Sequence, residues 1–228
     1  MNCVILQPSY IPWRGYFHQI QKADVFVFYD DVQYGGRGWR NRNRIKTHAG
    51  SQWLTIPVQS GGAALQGRPI REVAIDWTKP WSKKHWETIR HSYCKAPYFK
   101  RYEALLASFF ERRDALLADF TIVTTVALAR ELGIEETRFV RSSYLPAQGG
   151  KTDRLVSILS HLGVTHYISG PSARDYLEAE KLHGAGITLE FMRYGYPEYP
   201  QLNPPFDPQV SIIDLLVMTG PDAPKYIW

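Results

Sequence analysis

Residues 3–34 read CVILQPSYIPWRGYFHQIQKADVFVFYDDVQY. The apolar run at 3–6 ends at Gln7-Pro8, and proline both removes a backbone donor and restricts the residue before it. Residues 15–22 carry a helical pattern, and 25–29 form a second apolar run that stops at Asp30-Asp31. Strand, helix and strand in that order form the opening unit of an α/β fold.

Working outward, 44–46 and 52–58 read as a β-hairpin around His48-Ala49-Gly50-Ser51, and the Gly-rich 60–67 as a loop before 70–75. The pattern then turns helical over 81–94, 98–111 and 120–132, which predicts a helical subdomain over 79–133. Alternation resumes with strands at 139–140, 167–168 and 188–192, and with helices at 151–162 and 176–183. Leu155, Val156, Ile158, Leu159 and Leu162 fall on one helical face. A Pro/Tyr-rich stretch, 195–208, reads as ordered chain laid over a surface before a last apolar helix at 212–218. The fold class expected is one α/β domain over 1–228: a mainly parallel, Rossmann-like sheet with a β-hairpin insertion and a helical middle subdomain.

Of the 228 residues, 44% are hydrophobic and 21% charged, a balance that supports a packed core and excludes disorder. No apolar run approaches the roughly 20 residues of a membrane helix. The start lacks the basic flank and small-residue cleavage site of a signal peptide, so a cytoplasmic protein without membrane contact is expected. The two cysteines show neither CxxC nor ligand spacing and read as reduced thiols. The net charge of +5 is spread along the chain, which disfavours nucleic acid. The 14 Tyr and 7 Trp, often beside Pro, Arg and Asn, suit a wet recognition surface better than a plain core.

In an open parallel sheet, ligands bind beyond the carboxyl ends of the strands. Those positions carry Gln7 to Tyr16, then Asp30-Asp31-Val32-Gln33-Tyr34, then Arg141-Ser142-Ser143, then Ser169-Gly170-Pro171-Ser172. Turn-making and capping explain any one cluster, and four together are harder to explain that way. Adjacent Asp30 and Asp31 repel unless one is paired; one of them is expected to act as a base or clamp while its neighbour binds Arg37, Arg40, Arg42 or Arg44. A divalent metal at the pair is a weak alternative, because a third ligand is not evident, and no metal ligand and no cofactor are assigned. Trp39-Arg40-Asn41-Arg42-Asn43-Arg44 combines forked donors, amides and an indole, a set suited to a phosphate and a ring. Among seven histidines, His85 is the best placed for proton transfer, although a lone helical histidine is more often a surface or capping residue. Ser142-Ser143 lacks the GxSxG elbow of a nucleophile, and Lys151-Thr152 lacks the full glycine pattern of a P-loop.

The block QPSYIPWRGYFHQIQKADVFVFYDDVQY, then GWRNRNRIK, WLTIPV, Tyr93 to Phe99, Arg141-Ser142-Ser143, Tyr167-Ile168-Ser169-Gly170 and VSIIDLL together resemble the bacterial WbqC-like family, in order and over nearly the whole chain. The resemblance implies a bacterial cytoplasmic protein, often encoded among genes for surface-polysaccharide or modified amino-sugar synthesis, with glycyl or other acyl transfer as a lead to its activity. The first unit is also similar to the start of the HxGH nucleotidyltransferases, with Trp13-Arg14-Gly15-Tyr16 in the motif's place. Gly15 is kept, while Trp13 and Tyr16 replace both histidines that would stabilise a pentavalent phosphate, so adenylyl transfer is not expected.

The expected function is a transferase that attaches a small acyl or aminoacyl group to an amine of an activated sugar or related metabolite. Such transfer from a thioester needs orientation, a base and oxyanion donors, and no obligatory protein nucleophile. Asp31 is the expected base, Gln7 with Ser142 or Ser143 the orienters or oxyanion donors, and His85 a further acid/base candidate. Arg40 and Arg42 are expected to hold phosphate, and Tyr10 and Trp39 to stack. Trp13, Asp30, Gln33, Asn41, Asn43, Ser169 and Gly170 complete the expected binding surface. The partners expected are a small-molecule substrate such as a nucleotide-linked sugar, and an acyl carrier protein as donor. A non-catalytic binding protein for a nucleotide-sugar or carrier arm is the alternative, and RNA binding through WRNRNR a third.

Overall fold

The computed structural model describes residues 1–36, 38–59 and 67–228. Arg37 and most of the loop expected at 60–67 lie outside the described residues. In chain order the elements are β1 (Asn2–Leu6), α1 (Arg14–Gln21), β2 (Val25–Phe28), β3 (Arg42–Thr47), β4 (Gly50–Thr55), α2 (Trp81–Tyr93), α3 (Phe99–Glu111), α4 (Leu117–Glu131), β5 (Arg138–Arg141), α5 (Lys151–His161), β6 (His166–Ser169), α6 (Ala179–Gly184), β7 (Thr188–Phe191) and α7 (Ile212–Thr219).

Five strands form one parallel sheet in the order β5-β2-β1-β6-β7. The register sets Cys3 against Val25 on one side and against Tyr167 on the other, so β1 is the centre. The chain builds outward from β1 through β2 to β5, then crosses back to lay down β6 and β7. That reversal leaves a crevice at the carboxyl ends of β1 and β6, where an open α/β sheet binds its ligand.

Strand alternation sorts the core into two layers. Cys3, Ile5, Val25 and Val27 pack with Leu155, Ile158 and Leu159 of α5 and Leu182 of α6. Val4, Phe26 and Phe28 face the other way, against Phe17 and Ile20 of α1, Phe120 of α4 and Ile213 of α7. Ile89, Leu106 and Phe109 of α2 and α3 belong to that same cluster. β2, buried at all four positions, reads VFVF because both its faces are covered.

The hairpin β3–β4 is antiparallel with Arg44 opposite Trp53, and Gly50 closes its turn at φ +105°, a conformation glycine adopts at little cost. The stretch 195–208 contains neither helix nor strand and lies against the body. Its anchor is the buried Arg14, which donates to the carbonyls of Pro197 (2.8 Å) and Tyr226 (3.2 Å) and sits 4.8 Å from the Tyr196 ring centroid. The helix expected at 176–183 starts later. A 3-10 turn over Pro171–Asp175 comes first, and the chain then extends so that Glu178 N–H reaches Thr152 Oγ1 at 3.2 Å. Among the described residues no helix is long and apolar enough to cross a membrane.

Candidate functional site: a cleft at the sheet's reversal point

A cleft of about 1120 Å³ opens between the ends of β1 and β6. Gln7 and Ser169-Gly170 form its floor at the strand ends, Trp13 and Tyr16 of the α1 region one wall, and Trp39 and Arg40 the lip before β3. Lys151 and Thr152, at the start of α5, and the segment from Asp175 to Glu178 close the opposite side. α5 opens there with no side-chain cap, so the positive end of its dipole faces the cleft.

The loop after β1 is held by its own backbone. The Gln7 carbonyl accepts from Tyr16 Oη (3.1 Å) and Ser9 Oγ (3.4 Å), while the Gln7 side-chain amide has no hydrogen-bond partner among the described residues. Ile11 sits at φ +35°, and Asn43 Nδ2 locks that turn by donating to the carbonyls of Tyr10 (3.1 Å) and Ile11 (2.8 Å). Gly15 is required by contact within the chain: a Cβ there would overlap the Trp13 indole. Trp13 in turn meets Tyr194 edge-on, with centroids 5.1 Å apart.

Arg40 is the unusual charge. Its Nη1 donates to Ser9 Oγ at 2.9 Å, no carboxylate among the described residues pairs with it, and burial lowers its pKa from the ordinary arginine value. A guanidinium has five N–H donors in a fixed fork. One is used here, in a desolvated setting where an unpaired charge is costly.

The structure divides the expected site residues into groups. Gln7, Trp13, Trp39, Arg40, Asn43, Ser169 and Gly170 line the cleft. Asp30, Asp31, Ser142 and Ser143 meet instead in a compact knot just beyond the carboxyl ends of β2 and β5. Asp30, fully buried, accepts from Arg141 Nε (2.7 Å), Ser143 N–H (3.0 Å) and Ser143 Oγ (3.0 Å). Asp31 Oδ1 lies 2.6 Å from Ser142 Oγ, and its other oxygen pairs with Arg154. The two carboxylates do diverge, as adjacent residues leaving a strand must, but both are engaged and neither lines the cleft. The hydroxyls expected as oxyanion donors bond these aspartates.

Other expectations meet different geometry. Tyr10, expected as a stacking wall, is fully buried with its Oη 2.9 Å from His85 Nδ1. His85 is buried too, and desolvation pushes its pKa down to about 4, which makes it a neutral core residue away from the cleft. Asn41 Nδ2 donates to the Ile56 carbonyl (2.9 Å), so both asparagine amides bind main chain. Arg42 lies over the Trp53 ring, 4.6 Å from its centroid, outside the cleft. Arg40 and Arg42 part because Arg40 sits in a turn and Arg42 begins β3, so strand alternation does not apply to the pair. Gln33 is exposed and bridges Pro69 through its backbone.

Cleft residues not singled out from sequence include Tyr29, Tyr194, Asp175 and Gln209. Tyr194 has its pKa pushed up to about 12 by burial. Lys151 carried a signal, the preceding Gly149-Gly150; it adopts φ +50°, a left-handed conformation unusual for a side-chain-bearing residue. Asp175 has no hydrogen bond or ion pair among the described residues.

The WbqC-like protein family's profile matches residues 7–226. A curated relative, the uncharacterized protein Rv1507c of Mycobacterium tuberculosis (strain ATCC 25618 / H37Rv), is 42% identical over 225 residues, covering 98% of this chain and 96% of that protein. No solved structure matches.

Proposed function

Given that the chain belongs to the WbqC-like family, we propose that its cleft binds a phosphate-bearing metabolite and transfers a small acyl or aminoacyl group, such as glycyl, to an amine of a nucleotide-linked sugar, in bacterial surface-polysaccharide synthesis. The observation that carries this reading is Arg40, a desolvated guanidinium at the lip of the cleft with no acidic partner among the described residues. A bound phosphate supplies that partner, and the fork geometry suits it.

In this reading the amine attacks the carbonyl carbon of a thioester, such as one presented by a carrier protein. The C–N bond forms, the C–S bond breaks and the sulfur leaves as thiolate. The unpartnered amide of Gln7 donates to the developing oxyanion. The ammonium proton passes to Asp175, which replaces Asp31 as the base because Asp31 already pairs with Arg154.

The engagement of Asp30, Asp31, Ser142 and Ser143 favours a second reading, in which the cleft binds without chemistry. Calorimetry and turnover assays on one panel of sugar nucleotides and thioesters separate the two, since binding without product supports the second. Arg40→Lys keeps the charge and loses the fork, and should weaken phosphate-bearing ligands by about tenfold or more. Unchanged affinity in that variant for every ligand the wild type binds would remove Arg40 from the site.

A further inference from the structure

At the lip of the cleft, two indoles lie against each other, one from the hairpin and one from the turn before it. Trp53, in β4, and Trp39, before β3, have ring centroids 5.3 Å apart and planes inclined by 33°. They remain 44% and 42% exposed, although few side chains gain more from burial. The Arg42 guanidinium lies over the Trp53 ring, 4.6 Å from its centroid, and that of Arg44 lies over it at 5.5 Å, so cations cover part of Trp53 and the remaining indole surface of the pair is exposed. Trp39 also lines the cleft, and the next residue is Arg40. One lip of the cleft therefore carries a half-buried guanidinium and, beside it, a partly exposed indole pair backed by positive charge.

We propose that the Trp39–Trp53 face is a base subsite: the ligand is a nucleoside diphosphate or its sugar conjugate, whose base stacks on the outer indoles while its phosphates reach Arg40 and Ser9. The group beyond the phosphates then enters the cleft towards Gln7 and Ser169, at the ends of β1 and β6. The inference rests on the proposed phosphate-binding role of the cleft and adds to it the place of the base and the direction in which the ligand lies. The chemistry selects the nucleotide over the other phosphate carriers. A sugar 1-phosphate satisfies Arg40 and leaves the indoles bare, and a phosphopantetheine arm lacks a flat ring where the indoles begin. A nucleotide supplies the ring and the anion side by side, and stacking tolerates any base because every base has a π face.

The test measures tryptophan-fluorescence quenching and calorimetric affinity for four ribonucleoside diphosphates, inorganic pyrophosphate, glucose 1-phosphate and an eight-residue oligouridylate. Proteins compared are wild type, Trp53→Leu, Trp53→Phe and Arg40→Lys, with melting temperatures recorded. At least one nucleoside diphosphate should quench fluorescence and bind at least about tenfold more tightly than pyrophosphate, the order of one base-stacking contact. Trp53→Leu should remove most of that advantage and leave pyrophosphate affinity unchanged, Trp53→Phe should restore part of it, and Arg40→Lys should weaken all phosphate ligands alike. Equal wild-type affinity for pyrophosphate and every nucleoside diphosphate, or a Trp53→Leu protein that keeps the full nucleotide preference, overturns the base subsite while Arg40-dependent phosphate binding still stands. Tighter binding of the oligonucleotide than of any mononucleotide overturns it in favour of single-stranded nucleic acid. Failure of every phosphate ligand to bind wild type overturns both this subsite and the phosphate-binding cleft.

Discussion

Lowering the pH from 7 to 4.5 should destabilise this protein through His85, by an amount the structure sets. The ring is 6% exposed, its Nδ1 lies 2.9 Å from the hydroxyl of the fully buried Tyr10, and burial pushes its pKa down to about 4 from 6.5. An interaction with the Thr55 backbone opposes the shift without cancelling it. In the unfolded chain the imidazole takes up a proton near 6.5. Between the two values the unfolded state therefore binds more protons, so stability falls as pH falls through this window and levels off below about 4. At about 1.4 kcal/mol per pH unit, the full loss is about 3 kcal/mol, or roughly 6–12 °C in melting temperature for a chain of this length. Carboxylates titrate in the same window, so the informative quantity is a comparison. Urea unfolding of wild type and His85→Gln at pH 7 and 4.5 should show the variant weaker at pH 7, through disturbed packing, and losing about 2–3 kcal/mol less on acidification. Parallel losses in the two proteins would mean that His85 is protonated in the fold, and would return it to the set of candidate proton carriers.

Two further outcomes test the local arguments. Gly15→Ala places a Cβ inside the Trp13 indole, so Trp13 must leave its position against Tyr194; a loss of about 1–3 kcal/mol in urea unfolding with altered tryptophan emission is expected, and an unchanged melting temperature contradicts the contact. Asp30→Asn removes the buried charge facing Arg141, which keeps Asp119 at 2.6 Å, and should cost about 1–3 kcal/mol; Asp31→Asn, which keeps a hydrogen-bonding group at Ser142, should cost roughly the same and leave ligand affinity in calorimetry unchanged, and lost affinity at full stability in the Asp31 variant would place that carboxylate in the cleft.

Much of the fold is legible in the chain because parallel sheets write themselves as short apolar runs separated by helical periods. VILQP and VFVFYDD announce β1 and β2, and the spacing of Leu155, Ile158 and Leu159 announces the buried face of α5. What periodicity cannot carry is strand order, since nothing in the pattern tells β6 to return beside β1 and so open the crevice. Nor does it carry the break before α6, where a hydrogen bond to Thr152, 26 residues earlier, outweighs the local helical tendency.

The site was legible as a place and much less as a set of roles, because residue type says what a side chain can bond and not what already bonds it. Asn41 and Asn43 look like substrate amides until the Ile56, Tyr10 and Ile11 carbonyls are found opposite them. Asp31 and Ser142 look like base and oxyanion donor until folding brings them together across 111 positions and the Ser142 hydroxyl donates to the Asp31 carboxylate. The same accounting turns Arg40 from one arginine among several into the strongest functional signal in the molecule. Arg141 and Arg154, equally basic on paper, are neutralised by Asp30 and Asp31, while among the described residues Arg40 has only the hydroxyl of Ser9. Arg14 is buried more deeply and also lacks an acid among the described residues, but it is spent on the Pro197 and Tyr226 carbonyls inside the body; Arg40, half-buried and without a carboxylate among the described residues, stands at the mouth of the cleft, where an anion from outside the chain is the chemistry that meets it.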